Sequence, residues 1–132
     1  MKKALLSLLV LIGLAYGELL AQNTCFEDWR YVTPVTVTNI NGALTDYQVS
    51  ITFDSQSLIS AGKMNADGSD IRITSSDCCT PLHYWIQSGI NTPNTVMWVR
   101  VPNLNPFSAT TLVMYYGNSL STTPVSSLDS VM

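Results

Sequence analysis

The sequence is poor in charge. Of its 132 residues, six are Lys or Arg and nine are Asp or Glu. There is one histidine, His83, and beyond residue 21 one glutamate, Glu27. Glycoside hydrolysis needs two carboxyl groups facing each other across a cleft, and the aspartates here sit mainly in turns or at strand ends. No Gly-x-Ser-x-Gly elbow and no phosphate-binding glycine loop occurs. A closed zinc site needs four ligands, and one His with three unevenly placed Cys is a poor set. Arg30, Lys63, Arg72 and Arg100 are scattered along the chain, so the clustered cations that neutralise nucleic-acid phosphates are missing. These shortages read as a non-catalytic protein with no cofactor and no nucleic-acid partner.

Long apolar runs are also scarce. The one present, Ala4 to Ala15, falls short of the roughly 20 residues that cross a bilayer. Met1-Lys2-Lys3 precedes it, and small residues follow at Gly17 and Ala21. That layout is a secretory signal peptide. Cleavage is expected after Ala21, with Gly17 the alternative. The polar Gln22-Asn23-Thr24 before Cys25 does not fit a lipid-modification signal. Without Lys2, Lys3 and Glu18, the mature chain keeps four basic and eight acidic residues, a net charge of −4. The expected organisation is a signal peptide over 1–21, one domain over 22–118, and a Ser/Thr-rich linker or truncated end over 119–132.

Within the domain, side chains alternate. Val35 and Val37 oppose Thr36 and Thr38, and Asn41-Gly42 then marks a turn. From Asp46 to Phe53, Tyr47, Val49, Ile51 and Phe53 share one face and polar residues share the other. That period of two predicts a half-buried strand. Ser57 to Ala61 breaks the period and predicts one helical turn closed by Gly62. Ile71 and Ile73, Leu82 to Gln87, Thr95 to Val101 and Ala109 to Tyr116 predict four further strands, with Pro102 and Pro106 ending the third of them. Short strands at this spacing predict an all-β fold, an antiparallel, jelly-roll-like β-sandwich. The expected core is Tyr47, Val49, Ile51, Phe53, Ile71, Ile73, Tyr84, Ile86, Val99, Val101, Leu112 and Met114.

Several motifs in fixed order are specific. They are Trp29-Arg30-Tyr31, Leu44 to Val49, Ala61 to Arg72, Tyr84-Trp85-Ile86, Asn94 to Pro102, and Met114-Tyr115-Tyr116-Gly117-Asn118. With these, the stretch from Trp29 to Asn118 resembles the domain of unknown function 2341 family. The resemblance implies a β-sandwich module of secreted and surface proteins in bacteria and archaea. Such modules are often followed by a concanavalin-like domain or, in some bacteria, a C-terminal sorting domain. It brings no catalytic residues with it.

Three groups of residues are candidates for chemistry. Cys25, Cys78 and Cys79 all lie in the exported part, where disulfides form. Adjacent Cys78 and Cys79 have Cα atoms about 3.8 Å apart, below the usual disulfide range, so Cys25 is expected to pair with one of them. Asn65, Asp67 and Asp70 flank Gly68 as in a calcium loop, but lack the later bidentate Glu. The reading preferred here is therefore no metal site but a turn bent at Asp67-Gly68, with Asp70 capping a backbone amide. Trp85 and Trp98 are expected on the outer face, where aromatic rings can stack on sugars or pack under a loop or a neighbouring domain. Extracellular polysaccharide or other domains of the same polypeptide are therefore the expected partners. The function expected is a structural, adhesive or glycan-binding module. The alternative is an accessory domain of an extracellular hydrolase.

Export should yield a protein whose first residue is Gln22. Intact-mass measurement of the exported form checks this, and recovery of Met1 in that fraction would refute it.

Overall fold

A computed structural model describes the backbone of Leu6–Ser7 and all of residues 25–132. The expected signal-peptide boundary at Ala21 lies outside the described residues. The fold is a sandwich of two antiparallel sheets. One sheet holds β2 (Tyr31–Asn39), β7 (Ser108–Tyr116) and β4 (Arg72–Thr74) in that order, with β1 (Leu6–Ser7) at the outer edge of β2. The other holds β3 (Leu44–Phe53), β6 (Thr95–Leu104) and β5 (Tyr84–Ser88). The chain changes sheet at most connections, so each sheet is assembled from distant segments.

The alternation read from the sequence builds both inner faces. Val35, Val37, Leu112, Met114 and Ile73 are buried on one sheet, and Val49, Ile51, Met97, Val99 and Val101 on the other. Each such side chain contributes about 1.5–3 kcal/mol by leaving water. Of the expected core, Tyr47 and Ile86 are only partly buried against it. Trp29 is also half-buried. It lies at the edge of the core, with its indole Nε1 donating to the Asp70 backbone carbonyl at 2.7 Å.

Pro102 does not end its strand. β6 continues to Leu104, with Asn103 paired to Thr45 and Leu104 to Leu44. Two local features allow this. β5 pairs with β6 no further than Val99, so Pro102 needs no amide on that side. On the other side Asp46, at φ 47°, stands opposite without pairing. A proline is tolerated in a strand where no ladder bond is asked of it.

Between β3 and β4 lies the helix α1 (Ser55–Ser60). Asp54 caps it: its Oδ1 accepts from the Ser57 amide at 3.0 Å and its Oδ2 from the Ser57 hydroxyl at 2.6 Å. The Ser57 hydroxyl first, and then the amide, hold the Asp54 carboxyl below its ordinary range. At the other end Gly62 takes φ 71°. Its amide donates to Ile59 and that of Lys63 to Leu58, the paired bonds of a glycine helix stop. This turn fixes where Lys63 stands.

Cys25 bonds to Cys79, with Cα atoms 5.4 Å apart. The turn 75–80 decides which neighbour is chosen. Asp77 Oδ1 accepts from the amides of Cys79 at 2.9 Å and Thr80 at 2.8 Å, and from the Ser75 hydroxyl at 2.8 Å. The Thr80 hydroxyl is the largest of the influences that hold the Asp77 carboxyl well below the usual carboxylate range. Cys78 adopts φ 66°, and its carbonyl accepts from the Tyr115 hydroxyl at 3.1 Å. The Cys78 side chain is thereby turned toward the Ser76 carbonyl.

Residues 119–132, which composition reads as a linker, run along the sandwich. Arg72 holds the Ser121 hydroxyl at 2.9 Å and the Thr123 carbonyl at 3.2 Å. The Ile86 amide donates to the Ser126 hydroxyl, and the Ser127 amide to the Tyr84 carbonyl, both at 2.9 Å. This covers the outer edge of β5 and removes a row of open backbone groups. The short helix α2 (Leu128–Val131) then lies against β5 and β6. Gln48 on β3 donates to the Val131 carbonyl at 2.8 Å.

Replacing Cys79 with Ser should lower the unfolding free energy by about 2–4 kcal/mol, the cost of opening a loop of this order. Cys78→Ser should change it by less than about 1 kcal/mol. Urea unfolding checks both, and equal losses from the two variants would refute the pairing.

Candidate functional site

The turn Asn65–Asp70 is built by its own side chains. Asp67 Oδ1 accepts from the Ser69 amide at 3.0 Å, and Gly68 supplies φ 69°. The Ser69 contacts hold the Asp67 carboxyl below its ordinary value, the side-chain contact first. The result of this bend is to bury Asp70 completely. Its Oδ1 accepts from the Asn65 amide at 3.0 Å, and its Oδ2 from the amides of Gly117 at 2.8 Å and Asn118 at 3.2 Å. The Asp70 carboxylate therefore joins the turn to the end of β7, while its backbone carbonyl holds Trp29. The amide of Asn65 is a donor here, and its side-chain nitrogen donates to Ser69, Asn118 and Ser121. Among the described residues no group of three or more His, Cys, Asp or Glu could hold a metal ion. The geometry of Asn65, Asp67 and Asp70 is that of an amide-capping turn.

Above Asp70 the structure brings together two cations that the sequence scatters. Tyr31 pairs with Tyr116 across β2 and β7, and their rings stack with centroids 5.5 Å apart. The Lys63 ammonium lies 5.3 Å and the Arg30 guanidinium 5.9 Å from the Tyr31 ring centroid. Gly117, at φ 87°, passes directly beside that ring. A Cβ there would stand 2.4 Å from Tyr31 Cδ2, so no other residue fits without displacing the ring. Arg30, Tyr31, Lys63, Asn65, Asp70 and Gly117 line a cleft of about 100 Å³. A shallower depression of about 320 Å³, lined in part by Asp28, Arg30, Ser119 and Leu120, shares Arg30, Gly117 and Ser119 with it. Reading the chain in order missed this group, since Tyr31 and Tyr116 stand at opposite ends of the domain. The available signal was the pair of aromatic motifs, Trp29-Arg30-Tyr31 and Tyr115-Tyr116-Gly117.

Trp85 and Trp98 face each other across β5 and β6 on the outer face. Both are half-buried. Trp98 Nε1 donates to Gln87 Oε1 at 2.7 Å, a contact made possible where the β5 register shifts between Ile86 and Ser88. Arg100 on the same face lies 3.6 Å from Asp46, an exposed pair of small energetic weight. His83 is exposed beside them. The cysteines stand apart from both groups, in the disulfide and in the 75–80 turn.

Tyr84 illustrates how polar groups are treated inside. Its hydroxyl donates to the Ile71 carbonyl. Burial pushes its hydroxyl up to about 12, against a smaller opposing influence of Arg72.

Changing Asp70 to Asn keeps the size but turns one acceptor into a donor facing backbone N–H groups. It should cost about 2–3 kcal/mol of stability, the scale of a buried charged hydrogen bond. Urea unfolding measures this. A loss below about 0.5 kcal/mol would refute the structural role of the carboxylate.

Among the described residues no helix is long and apolar enough to cross a membrane. No curated protein and no solved structure matches the chain. A family model does match residues 67–132, described as a domain of unknown function. That span begins inside the Asp70 turn and includes the C-terminal strap as well as β4 to β7. The resemblance first drawn from Trp29 to Asn118 thus meets the family match over its second half. With half of its length matched and the motifs of the Asp70 cluster, both strand pairs and the strap in one sandwich, the chain belongs to the DUF2341 family.

Proposed function

We propose that this chain is a non-catalytic β-sandwich module of an exported protein, with a structural or adhesive role outside the cell. One observation carries the reading. Four of the aspartates that could do chemistry are committed to holding the fold. Asp70, Asp77, Asp67 and Asp54 each accept hydrogen bonds from nearby amides or hydroxyls. Among the described residues no buried side-chain nitrogen or oxygen lacks a partner. A general acid or base needs a proton-transferring group held ready for substrate, and these groups are occupied. The disulfide supports the extracellular location. The leader-like start of the sequence supports export.

A second reading rests on the tryptophan pair. Trp85 and Trp98 form an aromatic platform of the kind that stacks on sugar rings, with Gln87 beside it as a hydrogen-bonding group. The helix α2 lies on the same two strands, and this favours internal packing over an open sugar platform.

Affinity electrophoresis of the full chain against neutral polysaccharides tests both. No retardation and no release of reducing ends is expected. Retardation abolished by Trp85→Ala or Trp98→Ala would replace the structural reading with glycan binding at the pair. Any release of reducing ends would overturn the non-catalytic assignment.

A further inference from the structure

We propose that the Arg30–Tyr31–Lys63 cleft binds a carboxylate-bearing polysaccharide, a polyuronate, at the open end of the sandwich. The mature chain is acidic, with four cations in all. Their placement is uneven. Arg72 spends its guanidinium on the carbonyls of Ser69 and Ile71 and on the C-terminal strap. Arg100 is beside Asp46. The remaining two, Arg30 and Lys63, are gathered on one ring, and neither forms an ion pair among the described residues. Each cation already lies over the Tyr31 ring, whose negative face attracts it. An incoming carboxylate would give both a charged partner in the cleft they share.

Hydrogen bonds hold the backbone of both residues. Lys63 follows the glycine stop of α1, and Arg30 donates its amide to the Gly117 carbonyl at 3.4 Å. The Arg30 guanidinium is planar and suits a carboxylate in two-point contact. Two negative groups also border the cleft, and they shape the ligand. Asp70 is fully buried, and its oxygens face the amides of Asn65, Gly117 and Asn118. Asp28 is exposed on the rim of the adjoining depression, which Lys63 does not line. A compact polyanion such as a phosphate cluster would meet Asp28. A chain with one carboxylate per sugar can seat its charge between Arg30 and Lys63 and lay neutral sugar hydroxyls toward Asp28 and Ser119. The combined cleft and depression are larger than a lone small anion needs.

This inference takes from the preceding reading only that the domain is extracellular, and it does not use the tryptophan pair. The test is a calorimetric and NMR titration of the full mature chain with trigalacturonate, its methyl ester, and acetate. Trigalacturonate should bind saturably and weaken as salt rises, with amide shifts centred on Tyr31 and Gly117. The ester should not bind. Arg30→Gln and Lys63→Gln should each reduce affinity by about tenfold, as expected on losing one charged contact. An unchanged thermal midpoint shows that both variants remain folded. Absent binding overturns the proposal, as does binding unchanged in both folded variants. Acetate binding as tightly at the same site would show a simple anion site and overturn the polysaccharide assignment. Binding lost with Trp85→Ala but kept in Lys63→Gln would move the site to the tryptophan pair and overturn it as well.

Discussion

A single buried carboxylate organises one end of this sandwich. A carboxylate taken out of water loses several kcal/mol of hydration, and Asp70 is completely buried. That loss is offset only if both oxygens are given donors. The donors come from places far apart in sequence: the amide of Asn65 in its own turn, and those of Gly117 and Asn118 at the end of β7. The Asp70 backbone adds Trp29 from the N-terminal segment. Three segments must therefore arrive together. Because a half-satisfied charge is worse than none, the cluster closes as a unit. The close pass of Gly117 against the Tyr31 ring follows from that closure.

The two ends of the described chain are fastened by different means. Toward the N-terminus, the fastening is covalent and aromatic. Cys25 is tied to Cys79, Phe26 stacks on Tyr115 at 4.7 Å, and Arg72 lies 5.3 Å from the Trp29 ring. Toward the C-terminus, it is a pair of hydrogen bonds between serines and the β5 edge, Ser126 accepting and Ser127 donating, completed by the burial of Val131. Arg72 serves both, with its face on Trp29 and its nitrogens on Ser121 and Thr123. An arginine can do this because its guanidinium is flat and carries five donors. The entry and exit of the domain are thus coupled through one side chain next to Asp70.

The parts legible in the sequence were those governed by local repetition. Strict alternation from Tyr47 to Phe53 gave the strand and its buried face, because each residue's side is set by its neighbours. The helical turn at Ser57 was legible through Gly62. The capping role of Asp70 was legible in the turn pattern around Asp67-Gly68, but its distant donors were not, since Gly117 reveals nothing of its partner. Pro102 misled because the rule against proline applies to paired positions, and pairing depends on where β5 stops. The choice between Cys78 and Cys79 depended on a turn set by Asp77 and a hydroxyl of Tyr115 far along the chain. The Ser/Thr-rich composition of residues 119–132 suits a linker, yet serine hydroxyls and amides suit an open strand edge equally well. Composition alone does not separate the two.

The two surfaces with recognition chemistry differ in what covers them. On the outer face of β5 and β6 the chain supplies its own cover: α2 lies against both strands, and Gln48 holds the carbonyl of Val131 from β3. Trp98 has already found a partner in Gln87. At the open end of the sandwich, Arg30 is exposed and Lys63 half-exposed, and both lie over the ring of Tyr31. Aromatic side chains half-buried against their own chain lower its free energy by leaving water, whereas an exposed cation without a carboxylate partner contributes little to folding. The tryptophan pair is thus accounted for by packing, while Arg30 and Lys63 carry charge that no carboxylate among the described residues pairs with.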